Sequence, residues 1–102
     1  MDKKAINANQ NVRLHACVEG FVQGVGFRFY CMQNAYALGI TGWVRNRHNG
    51  EVEVIAEGDR QTLEKYIDVL SKGPSMAQIQ KVRIEWEEWS GDFSSFDAKP
   101  TV

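Results

Sequence analysis

A strand-like run that meets three glycines within seven residues and then passes into helix-forming sequence is the tightest constraint on this chain. From Val12 to Glu19 the residues alternate without a break. Val12, Leu14, Ala16 and Val18 share one face; Arg13, His15, Cys17 and Glu19 share the other. That pattern predicts a strand buried on one side only. Gly20, Gly24 and Gly26 then allow backbone angles that other residues resist, so N–H groups can turn inward. Helix-forming residues follow from Arg28 to Leu38, and Gly39 supplies the stop. Strand, glycine loop and helix N-terminus in this order form a cradle suited to a tetrahedral oxyanion, phosphate above all. Arg28 strengthens the inference. A cation near the positive end of a helix dipole is unfavourable by itself, and an anion shared between the two removes the conflict. The loop lacks the Lys-Ser/Thr of a P-loop and does not fit G-x-G-x-x-G with an acidic residue about twenty positions on, so a nucleotide is not implied.

The rest of the chain sets the architecture. Thr41 to Asn46 reads as a second strand and Glu51 to Ala56 as a third, with His48-Asn49-Gly50 as the hairpin signal between them. Asp59 is placed to cap a second helix whose Leu63, Tyr66, Ile67 and Leu70 recur at helical spacing, and Gly73-Pro74 ends it. Val82 to Trp86 is a fourth alternating strand, and a short last strand is expected around Phe93 to Ala98. The order βαββαβ plus a short strand predicts an α+β, ferredoxin-like split βαβ sandwich, an antiparallel sheet with two helices on one face. We expect residues 1–11 to form a loose tail, 12–98 the domain and 99–102 a C-terminal end.

Composition excludes several classes of function. At 102 residues, 43% hydrophobic and 25% charged, the chain is one globular domain. No apolar run approaches the roughly 20 residues of a membrane span, and residues 1–11 lack an apolar signal core. We therefore expect a cytoplasmic protein with no membrane partner, and a monomer. A net charge of −1 gives no drive toward nucleic acid. The run Gln23 to Tyr30 partly mimics the RNP1 pattern of RNA-binding modules, but it turns from a strand into a helix instead of lying on the third strand with its aromatics exposed. Cys17 and Cys31 fit no metal spacing and are expected to remain free thiols. Trp43, Trp86, Trp89, Phe93 and Phe96 are expected to serve packing.

Asn46 stands out beside the loop. Asn is rare in strands, and Asn49-Gly50 already supplies the turn chemistry, which leaves Asn46 redundant as a turn residue. Its amide both donates and accepts, so it can orient a water without acting as a base.

Two segments resemble the signatures of the acylphosphatase family: GFVQGVGFR from Gly20 to Arg28, and GWVRNRHNGEVEVIAEG from Gly42 to Gly58. The similarity continues through Gly73-Pro74, Ala77, Val82 and Trp86, and so covers nearly all of residues 12 to 98. Asn49 departs from the Asp common in the family before the hairpin glycine; both suit a tight turn. The resemblance implies hydrolysis of small acyl phosphates to a carboxylate and inorganic phosphate. It implies that Arg28, with backbone amides of Phe21, Val22, Gln23, Gly24, Val25, Gly26 and Phe27, binds the phosphoryl oxygens, and that Asn46 holds the attacking water. Neither metal nor cofactor is expected, because His15 and His48 are far apart and have no carboxylate at ligand spacing along the chain. Glu19, His15 and His48 are the candidate bases, and none is assigned. Water is expected to lose its proton late, to the substrate phosphate itself. A larger carbamoyl-transfer maturation protein with an acylphosphatase-like accessory domain would carry the same two motifs.

Overall fold

The computed structural model describes residues 8–102. Five strands and two helices follow in the order β1 (Asn11–Phe21), α1 (Phe27–Leu38), β2 (Thr41–Asn46), β3 (Val52–Asp59), α2 (Arg60–Lys72), β4 (Gln78–Glu88) and β5 (Phe96–Ala98). They form one sheet in the order β4-β1-β3-β2-β5. The sandwich is the expected one, with one difference: β5 runs parallel to β2, so the sheet is mixed. This short strand, entered after β4 has closed the opposite edge, fills the edge that β2 leaves open.

The strict alternation of β1 appears as packing. Val12, Leu14, Ala16 and Val18 are buried and share a core with Phe27, Cys31 and Ala35 of α1 and Leu63, Tyr66 and Leu70 of α2, so both helices cover the same face. Two tyrosines fasten helix to helix. Tyr30 donates its hydroxyl to Val69 O at 2.8 Å, and the buried Tyr66 donates to Cys31 O at 2.8 Å. These bonds fix where the first turn of α1 lies. Cys17 and Cys31 are both free and buried, and burial pushes the Cys31 thiol up to about 12.

The first amides of α2 all find acceptors. Thr62 N donates to Asp59 Oδ1 at 2.8 Å, the cap expected from the sequence. Arg60 N and Gln61 N donate to Gln10 O and Ala8 O, both at 3.0 Å. Residues 8–11 of the expected tail are thus tied down, and residues 1–7 lie outside the described residues. At the other end, Lys99 N donates to Val44 O at 2.9 Å and Val102 N to Asn46 O at 3.2 Å, which continues the β5 pairing along β2 toward the hairpin.

Buried carboxylates join the strands on the helix-free face. Glu57 accepts from Arg13 Nε at 2.8 Å, Ser90 N and Oγ at 2.9 Å each, and Gly91 N at 3.0 Å. Burial works against its charge, but the Ser90, Arg13 and Gly91 donors outweigh it and hold Glu57 below the usual carboxylate range.

Candidate active site

The path of the loop is set at its two ends. At Gly20 the β1–β4 register shifts, and a Cβ there would fall 2.1 Å from Gln78 O, so only glycine lets the strands approach. At Gly26, the N-cap of α1, φ is 79°, the left-handed region in which glycine starts the helix without a Cβ penalty. No side chain caps this end and no acidic residue occupies its first turn, which leaves its positive end uncompensated.

A cavity of about 170 Å³ opens at that end, lined by Val22, Gly24, Gly26, Phe27, Arg28, Phe29 and Asn46. The loop and Asn46, some twenty residues apart in sequence, therefore share one site. Arg28 is exposed and makes no hydrogen bond or ion pair among the described residues. Asn46, the last residue of β2, has a buried Oδ1 with no hydrogen-bond partner among the described residues. A buried amide oxygen without a donor costs about 1–3 kcal/mol. An orphan acceptor beside a free guanidinium and an open helix N-terminus suits an anion with an attendant water.

The side chain of Gln23 spans the gap between loop and hairpin. Its Nε2 donates to Arg47 O at 2.7 Å and Glu51 O at 2.9 Å. These carbonyls belong to the Arg47–Glu51 turn, closed by Arg47 N to Glu51 O at 2.8 Å and Gly50 N to Arg47 O at 3.0 Å. Gln23 thereby sets the distance between the loop and the residue next to Asn46. Sequence reasoning placed Gln23 among the phosphate-binding amides and missed this tie; an amide flanked by loop glycines was the available signal. Phe29 was also missed, although an exposed aromatic directly after Arg28 could have marked it.

Not every expected residue lines the cavity. Phe21 is the last residue of β1, pairs with Gln78, and lines a separate surface hollow with Glu19, Asn49, Gly50, Glu51 and Gln80. Val25 packs against the core. Glu19, His15 and His48 do not line the cavity either. Glu19 is instead bound to Arg83, which also donates to Glu51 at 2.6 Å. The Arg83 bond, the largest influence, holds Glu51 below the ordinary carboxylate range. For His15 the structure corrects the expectation of no supporting carboxylate. Cys17 lies opposite Glu53 in the β1–β3 register, which brings Glu53 Oε2 to 2.8 Å from His15 Nε2. Linear spacing does not reveal cross-strand neighbours.

Known proteins resemble this arrangement along almost its whole length. The acylphosphatase family model matches residues 14–98. An acylphosphatase of Pelotomaculum thermopropionicum is 46% identical over 84 residues, 82% of this chain and 91% of that protein. The structure of an acylphosphatase from Coxiella burnetii superposes with a TM-score of 0.81 at 36% identity, over 87% of this chain and 93% of that one. Full-length HypF, crystallised in a phosphate- and nucleotide-bound form, shares the fold at 23% identity and a TM-score of 0.82, over 90% of this chain and 12% of that one.

Proposed function

The chain belongs to the acylphosphatase family and is an enzyme that hydrolyses acyl phosphates; on that premise we propose that Arg28 and the Gly24–Gly26 loop hold the phosphoryl group while Asn46 holds the attacking water. The observation that carries this reading is the shared cavity, lined both by Arg28 and by Asn46, whose buried Oδ1, like the Arg28 side chain, has no hydrogen-bond partner among the described residues. Phosphoryl transfer asks mainly for positioning and charge stabilisation, and an acyl phosphate brings a good leaving group. The guanidinium fork and the α1 N-terminus supply positive charge to the equatorial oxygens. Asn46 Oδ1 accepts a hydrogen from the water and aims its oxygen at phosphorus.

In balanced form, water oxygen bonds to phosphorus as the bond from phosphorus to the carboxyl oxygen breaks. The carboxylate leaves with that electron pair, and the water proton passes to a phosphate oxygen. No side chain among Glu19, His15 and His48 is needed as a base, since none lines the cavity. Phe21 through Phe27 remain the proposed source of phosphate-binding amides, with Val22, Gly24, Gly26 and Phe27 best supported because they line it. The substrate is a small, diffusible acyl phosphate, the product inorganic phosphate, and the enzyme a cytoplasmic monomer.

Hydrolysis of benzoyl phosphate in ¹⁸O-water tests the route. Attack on phosphorus puts the label in inorganic phosphate. Label in benzoate instead would mean attack on the carbonyl and would remove the role given to Asn46.

A further inference from the structure

The geometry points to a second site on the helix-free face of the sheet, where His15, Cys17 and Glu53 bind a transition-metal ion such as Zn²⁺. His15 and Cys17 stand two residues apart on one face of β1, and Glu53 is the β3 partner of Cys17. His15 Nε2 lies 2.8 Å from Glu53 Oε2 and 4.0 Å from Cys17 Sγ, and one ligand atom from each residue falls within 4.8 Å of the others. Tetrahedral bonds of about 2.0–2.3 Å to N, O and S require donor separations of roughly 3.3–3.7 Å. An ion therefore enters with shifts of about half an ångström at His15 and of no more than roughly 1.5 Å between Cys17 and Glu53. A nitrogen, a sulfur and an oxygen make a borderline-soft set that suits Zn²⁺ or Co²⁺ over Mg²⁺ or Ca²⁺.

The surroundings already orient Glu53 as an outer shell would. Arg45 Nε at 2.8 Å and Arg47 Nη1 at 3.3 Å both engage Glu53 Oε1, which leaves Oε2 toward His15. On the other ring nitrogen, His15 Nδ1 lies 3.5 Å from Glu85 and 3.8 Å from Glu87. Neither is a hydrogen bond in this structure, but a side-chain shift of about half an ångström by Glu85 would give the carboxylate–histidine–metal order, in which the outer carboxylate takes the Nδ1 proton and Nε2 is left for the ion. Access comes through a hollow of about 410 Å³ lined by His15, Cys17, Arg83, Ile84 and Glu85, so a water can take the fourth position. Cys17 as thiolate and Glu53 ionised bring two negative charges to a divalent ion, and Glu85 and Glu87 beside His15 offset part of the positive charge of Arg45 and Arg47 on Glu53 and of Arg83 in the hollow. None of the three ligands lines the phosphate cavity.

Co²⁺ titration of reduced, untagged protein tests the site. A single equivalent bound at micromolar or lower Kd, with a near-ultraviolet thiolate charge-transfer band and intense four-coordinate visible bands, is expected. Zn²⁺ should displace it. Cys17→Ser should abolish the charge-transfer band, and Cys17→Ser and His15→Ala should each weaken binding at least tenfold, with thermal melting as the check on folding. Cys31→Ser should change neither. Absence of binding at micromolar Co²⁺ overturns the proposal. So does binding that Cys17→Ser leaves intact, with the weak bands of a six-coordinate ion, since that would place the ion on His15, Glu85 and Glu87.

Discussion

Replacing Gln23 separates the loop from the hairpin without touching Arg28 or Asn46. Its two hydrogen bonds, to Arg47 O and Glu51 O, are the polar links between these segments. Each is worth about 0.5–1.5 kcal/mol net. Both acceptors keep a backbone donor when Gln23 is lost, Gly50 N for Arg47 O and Arg47 N for Glu51 O. Neither carbonyl is stranded, and Gln23→Ala should cost about 1–3 kcal/mol in stability, a modest share of the total. The effect on catalysis should be larger. On the proposed roles of Arg28 and Asn46, slack between them would misplace water against phosphorus, and a misplacement of about 1 Å can lower turnover on the order of 100-fold. Gln23→Glu sharpens the test, because a carboxylate of the same size faces two carbonyls with nothing to donate and should be worse than Ala in both stability and kcat. Urea unfolding and steady-state hydrolysis of benzoyl phosphate measure the two quantities. Full activity in Gln23→Glu would refute the reasoning.

Arg28→Lys keeps the charge but loses the bidentate fork, so we expect kcat/KM to fall on the order of 100-fold or more and inorganic phosphate to inhibit more weakly, as read by inhibition constants. Gly20→Ala drives a Cβ to 2.1 Å from Gln78 O at a φ of +135°, and should cost about 3 kcal/mol, lowering the calorimetric melting temperature by on the order of 15 °C. Glu57→Gln should destabilise the fold by about 2–3 kcal/mol at pH 7, because it removes the charge from four hydrogen bonds. The folded-state pKa of Glu57 lies below its unfolded value, so this contribution is complete above about pH 4.3 and is lost as pH falls through the folded value. Unfolding curves of the two proteins should accordingly converge in acid and stay apart at neutral pH.

Much of the fold was readable because local rules and tertiary packing agree. The alternation of Val12, Leu14, Ala16 and Val18 matches a strand buried on one face, and Leu63, Tyr66 and Leu70 form the buried stripe of α2. Asp59 caps that helix as its position suggested. Strand ends were less visible, since β1 extends to Phe21 and β4 spans Gln78–Glu88 through pairing with each other, which no single segment encodes. That same extension moves Phe21 from the loop into the sheet. In the site, Arg28 and Asn46 were legible as residues at odds with their local roles, a cation at a helix start and an amide in a strand. Gln23's reach to carbonyls 24 and 28 residues away, and the approach of Glu53 to His15, follow from register and could not be read from spacing.

The division of labour between Arg28 and Asn46 is tested most directly by measuring, for Arg28→Ala and Asn46→Ala beside the parent enzyme, both kcat for benzoyl phosphate in chelator and the inhibition constant of inorganic phosphate. We expect turnover to fall at least 100-fold in each variant, with phosphate affinity lost in Arg28→Ala and kept within a few-fold in Asn46→Ala. Equal loss of phosphate affinity in both variants would contradict a water-positioning role for Asn46. Unimpaired phosphate binding in Arg28→Ala would contradict the anion site itself.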